Sequence, residues 1–207
     1  REAHDTLANQ QATTNLLASS AYQAIWLGQR SEAETLLQVA DSAKPGVLTP
    51  SLKAVLADRR MSLAGETADV ASMPRLEDAI RAALDGGRHD DEPWWTQWLT
   101  HDMVDQQTGR ATWQPDPDAA EPYLALHPVS EDDYPREGML RNTELAVARI
   151  RMNDIPGSTS AVETARTLAA SVGSPRVLER LNLVTGTLAR QHADHPAVVA
   201  LLLRHTD

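Results

Sequence analysis

Apolar residues recur at intervals of three and four along most of this chain, a spacing that places side chains on one face of an α-helix. Between Glu2 and Gln29 the stripe consists of Leu16, Leu17, Ala21, Ala24 and Ile25. The spacing returns in later segments, and no stretch shows a convincing alternation of apolar and polar residues, the period of a β-strand. The pattern therefore predicts an all-α chain.

Capping residues and prolines predict where the helices begin. Ser31 with Glu34 three residues later has the spacing of a capping box. Further N-caps are predicted at Thr49, Asp118, Ser174 and either Asp194 or His195. A first helical turn tolerates proline because the N–H that proline lacks has no partner there. Such prolines are Pro50, Pro93, Pro122, Pro175 and Pro196.

Six positions of the first predicted helix pair match the small-residue, turn and terminal-proline positions of a tetratricopeptide repeat (TPR). They are Ala21, Gly28, Ala33, Leu37, Ala40 and Pro45. Small residues let antiparallel helices approach closely, and proline ends the unit. Successive helix pairs of this kind predict a TPR-like α-solenoid, and we expect residues 1–207 to form a single helical repeat domain.

The segment from Glu92 to Trp113 contains four of the five tryptophans. Because no proline or glycine lies between Pro93 and Gly109, the pattern predicts about five turns of helix here. On such a helix Trp95, Trp98, Asp102, Asp105 and Gly109 share one face. Aromatic rings beside carboxylates are typical of a groove for a cationic or amphipathic ligand, and the alternative is that the tryptophans pack between helices.

Charge and composition exclude several classes of protein. The formal net charge of −10 argues against a nucleic-acid surface, which needs clustered positive charge. There is no cysteine, and hence no disulfide or thiolate site. No apolar run has the length of a membrane span, and no signal-peptide pattern opens the chain, so we expect a cytoplasmic protein. Because Arg1 replaces an initiator methionine, we also expect a piece of a longer polypeptide.

The tryptophan segment and the tail resemble one known family. The runs W-W-T-Q-W-L, D-Q-Q-T-G-R-A and D-A-A-E-P-Y-L are similar to the C-terminal TPR-like region of lambda-repressor-type (XRE-family) helix-turn-helix regulators from high-GC bacteria. S-P-R-V-L-E-R-L and H-A-D-H-P-A-V-V-A-L-L resemble the closing helices of these proteins, so that the resemblance covers residues 94–203 best. Trp95, Thr96 and Pro115 depart from the pattern. The resemblance implies a ligand-sensing or dimerisation region, a DNA-binding head outside this chain, and no catalytic residue or cofactor.

Placing the repeats by their small residues predicts a concave face. In the first pair this face carries Asn15, Ala18, Tyr22 and Trp26, and in a later pair it carries Asn142, Leu145, Arg149 and Asn153. Asn and Arg side chains can pair with the main chain and the carboxylates of an extended peptide, although they can equally face water. The predicted ligand- or peptide-binding residues are Asn15, Tyr22, Trp95, Trp98, Asp102, Asp105, Asn142 and Arg149.

Metal sites are not expected. The loop run His89, Asp90, Asp91 and Glu92 is typical of a solvated loop, and His192, Asp194 and His195 are typical of a helix junction. His101-Asp102 resembles part of the H…HD…D ligand set of metal phosphohydrolases. That site needs ligands from neighbouring helices, whereas the available residues, His89 and Asp133, are predicted to lie in loops. An HD-type phosphohydrolase is therefore the remote alternative.

The sequence thus predicts the ligand- or peptide-sensing and dimerisation domain of a transcriptional regulator, with no enzymatic activity. A small molecule or peptide in the groove would shift the angle between helix pairs. A homodimer contact, expected at the C-terminal helices, would then reset the spacing of two DNA-binding heads. No direct nucleic-acid or membrane contact is expected from this chain. A stand-alone TPR scaffold that binds another protein is the alternative.

Overall fold

The computed structural model describes residues 2–44, 46–87, 92–126 and 134–204. These ranges are helical and contain no β-strand, which confirms the predicted all-α class. Within the same ranges, no helix combines the length and the apolar character needed to cross a bilayer.

Packing divides the chain into two compact units, Arg1–Pro115 and Asp116–Asp207. The first contains α1 (Glu2–Trp26), α2 (Arg30–Asp41), α3 (Pro50–Thr67), α4 (Met73–Asp85) and α5 (His101–Thr112), with short 3-10 turns at Val70–Ser72 and Trp94–Thr96. The second contains α6 (Pro117–Leu126), α7 (Pro135–Arg151), α8 (Ile155–Ala169), α9 (Pro175–Gln191) and α10 (Pro196–Leu203). One helical repeat domain over residues 1–207 stays a prediction.

Small residues line the seam of the first helix pair, α1 and α2. Ala21, Ala33 and Leu37 are completely buried, and Ala40 is nearly so. Because an alanine side chain extends no further than Cβ, the two helices can approach closely along this seam. Four of the positions that match a repeat are therefore buried, as close helix packing requires.

Three helices end in the same left-handed turn. The turn residues are Gly28 after α1, Ala68 after α3 and Asn153 before α8, with φ of 72°, 58° and 61°. In each case the next residue donates its N–H to a carbonyl five residues back, at 2.8 Å: Gln29 to Ala24, Asp69 to Ala64 and Asp154 to Arg149. This is the Schellman motif, which satisfies the last carbonyls of a helix and reverses the chain. The motif therefore recurs in both units.

The contacts of α5 establish the relative directions of the helices in the first unit. Thr108 Oγ1 lies 3.8 Å from Met61 Sδ, and one turn later Ala111 lies against Gly65, so α3 and α5 are parallel. A Cβ at position 65 would overlap the Ala111 carbonyl oxygen. Only glycine permits an approach this close.

Helix α4 runs antiparallel to α5. Thr112, at the end of α5, donates to Met73 Sδ at the start of α4, at 3.6 Å. Asp105, near the start of α5, accepts from Arg81 near the end of α4, at 2.5 Å. The order of these contacts along the two helices fixes their opposite directions, so that α3, α4 and α5 alternate in direction.

In the second unit, α7 and α8 form a hairpin with both small and polar residues in its seam. Ala146, Ala148, Ala161 and Ala165 are buried there. Ser158 Oγ, also buried, donates to the Ala146 carbonyl oxygen at 2.9 Å. Helix α9 packs against α7 and α8, and α10 packs against α8.

The predicted caps have mixed outcomes. Ser174 does occupy the N-cap position of α9, but its side chain makes no capping hydrogen bond. Thr49 Oγ1 accepts from Leu52 N at 3.3 Å, and His195 Nδ1 accepts from Ala197 N at 3.2 Å, which confirms both caps. The capping box at Ser31 is wrong: α2 already begins at Arg30, because the turn at Gly28 leads directly into the helix. The cap at Asp118 is also wrong, since α6 begins at Pro117 and Asp116 Oδ1 accepts from Ala119 N at 3.1 Å.

The long tryptophan helix is wrong as well. Trp94–Thr96 is a single 3-10 turn, and α5 begins only at His101, after Thr100 in an extended conformation. Thr96 Oγ1 donates to the Pro93 carbonyl oxygen at 2.7 Å, and Leu99 is buried in the core of the first unit. Burial of Leu99 and the local hydrogen bond together favour a bent chain over continuous helix. Trp95 and Trp98 therefore share no helical face with Asp102, Asp105 and Gly109.

Candidate ligand-binding surface

Three segments of the first unit meet at Arg59. Tyr22 belongs to the last two turns of α1, Arg59 lies near the middle of α3, and Trp98 lies in the bend before α5. The Arg59 guanidinium carbon is 4.1 Å from the ring centre of Tyr22 and 5.1 Å from that of Trp98. Both distances allow a cation–π interaction. We call Tyr22, Asp58, Arg59 and Trp98 the Arg59 cluster.

The Arg59 cluster reaches the protein surface through its aromatic residues. Trp98 is 37% exposed, whereas its neighbour Leu99 is 2% exposed. Tyr22 is half-buried and makes an edge-to-face contact with Trp26, with ring centres 5.9 Å apart. The bend before α5 produces this arrangement, because it sends Leu99 into the core and leaves Trp98 beside α1 and α3.

Asp58 forms the buried floor of the cluster. Its side chain has no exposed surface, and its Oδ2 accepts from Arg59 Nη1 at 2.6 Å. Among the described residues, Asp58 Oδ1 and Arg59 Nε have no hydrogen-bond partner. Burial raises the pKa of the Asp58 carboxyl, and this effect outweighs the lowering by Arg59 and Arg110.

Sequence reasoning missed Asp58, Arg59 and Arg110. A signal for Asp58 is present, since it lies three residues after Val55 and three before Met61, on the apolar stripe of α3. A carboxylate on a core stripe needs a cationic partner, which draws attention to the adjacent arginine. Nothing in the local sequence of Arg59 indicates its contacts with Tyr22 and Trp98, which lie 37 and 39 residues away in the chain.

The other residues of the first unit that the sequence predicted for binding do not belong to the Arg59 cluster. Asn15 is half-buried and lies two turns before Tyr22 on the same face of α1. Asp105 is engaged by Arg81, and Asp102 is exposed in the first turn of α5. Trp95 is half-buried in the 3-10 turn. The structure thus joins Tyr22 and Trp98 and places the carboxylates elsewhere.

In the second unit, the predicted residues make intramolecular contacts. Asn142 Nδ2 donates to the Gly138 carbonyl oxygen of its own helix at 2.9 Å. Arg149 Nη2 donates to Glu121 Oε1 at 2.7 Å, and its Nη1 donates to the Gly157 carbonyl oxygen at 3.2 Å. Arg149 thereby ties α6 and the start of α8 to the end of α7. A ligand would have to compete with these contacts.

The second unit also contains a shallow groove of about 460 Å³. Its walls are the start of α7, from Tyr134 to Glu137, and the connection between α8 and α9, from Ser171 to Ser174. The lining is mostly apolar, and it includes none of the residues that the sequence singled out for binding.

Residues with metal-binding side chains do not converge in the described part of the chain, where no group of three or more could hold an ion. His101 Nε2 lies 3.2 Å from Asp85 Oδ1, and both side chains are exposed. Glu92 Oε1 accepts from Ser51 N at the start of α3, at 3.2 Å. His89, Asp90, Asp91 and Asp133 lie outside the described residues.

Comparison with protein-family models, with curated proteins and with solved structures found no match to this chain.

Proposed function

We propose that this chain is a non-enzymatic, TPR-like helical repeat module that binds a peptide on the surface formed by the Arg59 cluster. The observation that carries the proposal is the meeting of Tyr22, Arg59 and Trp98, which presents aromatic and hydrogen-bonding groups together at the surface. Exposed aromatic residues beside an arginine are the side chains most enriched where proteins bind other proteins.

The helix packing supports a repeat architecture. In the first unit α3 and α5 are parallel, with the antiparallel α4 between them in sequence. The hairpins close with the same left-handed turn, and alanines line two of the seams. In a solenoid, the first helices of successive pairs form one face. Tyr22 on α1 and Arg59 on α3 belong to such first helices.

The sequence resemblance adds a regulatory role to the proposal. In this role the chain is the cytoplasmic sensing and dimerisation part of a transcriptional regulator, and a helix-turn-helix head belongs to the same polypeptide. Peptide binding changes the angle between helix pairs, and a homodimer transmits the change to two DNA half-sites. An effector small molecule could act in the same way.

Selection from a library of random displayed peptides tests the binding function. We expect peptides that bind the wild-type chain and lose at least about tenfold in affinity on Tyr22→Ala, which removes one face of the Arg59 cluster. The matched control is Tyr134→Ala, an exposed tyrosine of the second unit. Failure to select any peptide, or equal loss in both variants, would contradict binding at this surface.

The regulatory role is tested on the parent polypeptide. Its reading frame is expected to encode a helix-turn-helix segment, and the purified parent is expected to bind DNA as a dimer in gel-shift and native mass measurements. A parent without such a segment, together with peptide binding by the Arg59 cluster, would leave the stand-alone scaffold as the function.

A further inference from the structure

The pairing of Asp58 with Arg59 is geometrically poor for two neighbouring residues of one helix. Side chains at positions i and i+1 point about 100° apart, so Arg59 has to fold back to reach its neighbour. The result is a single hydrogen bond from Nη1 to Oδ2. Asp58 Oδ1 and Arg59 Nε, both buried, stay without a partner among the described residues.

A guanidinium group that enters from another chain has no such constraint. It can approach the carboxylate edge-on and form two parallel hydrogen bonds, the arrangement that is typical of strong arginine–carboxylate pairs. The two aromatic faces are suited to the same group, because Tyr22 and Trp98 already hold a guanidinium in this structure. The net charge of −10 further favours a cationic ligand at long range.

We propose that the Arg59 cluster is a binding site for an arginine side chain of the peptide ligand, and that Arg59 itself occupies this site when no ligand is bound. The ligand's guanidinium displaces that of Arg59, stacks on Tyr22 and Trp98, and pairs with both oxygens of Asp58. Arg59 therefore acts as an internal competitor that sets the affinity. This inference rests on the proposed function, because its occupant is a side chain of the proposed peptide.

The displaced Arg59 has a route to solvent. Its side chain is 12% exposed, and Trp98 beside it is more exposed. In the proposed exchange the Arg59 side chain rotates into water, where an arginine is well solvated, and leaves both aromatic rings to the ligand.

Binding of N-acetyl-arginine methylamide to Arg59→Ala tests the site. The probe's neutral isostere, N-acetyl-citrulline methylamide, is the ligand control, and the double variant Asp58→Asn/Arg59→Ala is the protein control. Isothermal titration calorimetry reports binding. We expect Arg59→Ala to bind the arginine probe at least about tenfold more tightly than the wild type does, because the internal competitor is gone. Citrulline should not bind, and the double variant should bind neither probe.

Several results would overturn the inference. They are a folded Arg59→Ala that does not bind the arginine probe, equal binding of arginine and citrulline, and binding that survives in the double variant. If Arg59→Ala does not fold, Arg59→Lys serves in its place, since lysine lacks the planar fork and competes less well. Equal affinity of Arg59→Lys and the wild type for the arginine probe would then overturn it.

Peptide selection separates this inference from the proposed function. If the selected peptides contain arginine and lose affinity when citrulline replaces it, they support both the proposed function and the arginine site. Peptides that bind the Arg59 cluster without needing arginine support the proposed function and overturn the inference. Preference for lysine over arginine also overturns it, because an ammonium group cannot form the two parallel hydrogen bonds.

Discussion

Arg59 of the first unit and Arg149 of the second are held in opposite ways, although both units contain helix hairpins closed by the same turn. In the second unit Arg149 joins three segments through Glu121, Gly157 and the nearby Asp154. In the first unit Arg59 makes one hydrogen bond and otherwise rests against aromatic rings. Arg149 is thus part of the framework of its unit, whereas Arg59, held by a single hydrogen bond beside an exposed tryptophan, is the arginine that we propose a ligand replaces.

The units also differ in how neighbouring helices are held. Helix α3 meets α5 through a backbone contact at Gly65 and the sulfur of Met61. Helix α7 instead buries Arg141, Thr143 and Glu144, and Glu144 lies 3.7 Å from Arg180 of α9. Buried charges need matched partners and fix the packing around them. The contact of α7 with α9 therefore includes charged groups, whereas that of α3 with α5 depends on close approach of the two backbones.

The largest expected effect is that of a methyl group at the contact of α3 and α5. In Gly65→Ala the new Cβ overlaps the Ala111 carbonyl oxygen, which belongs to the backbone and cannot turn away. We expect a loss of about 3 kcal/mol in unfolding free energy, measured by urea denaturation.

The matched control in the second unit is Gly157→Ala. There the new Cβ overlaps Asp154 Oδ2, and a side chain can rotate at the expense of its cap to Gly157 N. The expected loss is about 1 kcal/mol. Equal losses at the two positions would mean that α3 and α5 are not held by close backbone contact.

A smaller effect is expected from removal of the Arg149 contacts. Arg149→Met keeps most of the side-chain length and removes the hydrogen bonds to Glu121 and Gly157, so we expect a loss of about 2 kcal/mol in urea unfolding. Arg190→Met, at an exposed position of α9, should change stability by less than about 0.5 kcal/mol. Full stability of Arg149→Met would contradict a structural role for these two contacts.

The smallest expected effect is the pH dependence contributed by Asp58. Burial raises the pKa of its carboxyl above the ordinary 3.8, so the folded chain keeps the proton at pH values where the unfolded chain has lost it. Between the two pKa values the folded state binds more protons, and its stability falls as pH rises. The unfolding free energy of the wild type relative to Asp58→Asn should therefore fall as pH is raised from the ordinary carboxyl pKa toward neutrality. If the unfolding free energy of the wild type relative to Asp58→Asn rose over this pH range, the Asp58 carboxyl would not be destabilised by burial.

Much of the fold could be predicted from local signals. The turn at Gly28 and the cap at Thr49 with Pro50 predicted the end of α1 and the start of α3 within a few residues. Such signals act within one turn of helix. The break before α5 could not be predicted in this way, because it depends on burial of Leu99 against residues distant in sequence.

The candidate site was predicted only in part. Helical spacing and aromatic character pointed to Tyr22 and Trp98, and the structure brings both into contact with Arg59, which no local pattern marks. The prediction placed Trp98 on a continuous helix, whereas the chain bends between the 3-10 turn and α5. This bend brings Trp98 into contact with Arg59. The roles of Asn15, Trp95, Asp102, Asp105, Asn142 and Arg149 in binding stay predictions.

The central claim is that the aromatic residues of the Arg59 cluster serve recognition rather than core packing, and Trp98→Ala beside Leu99→Ala tests it most directly. The two residues are neighbours, and one is partly exposed while the other is buried. Leu99→Ala should cost about 3 kcal/mol in urea unfolding, and Trp98→Ala about 1 kcal/mol or less. Trp98→Ala should also lose at least about tenfold in affinity for a peptide selected on the wild type. A Trp98→Ala variant that loses as much stability as Leu99→Ala, or that binds the peptide as tightly as the wild type, would contradict the claim.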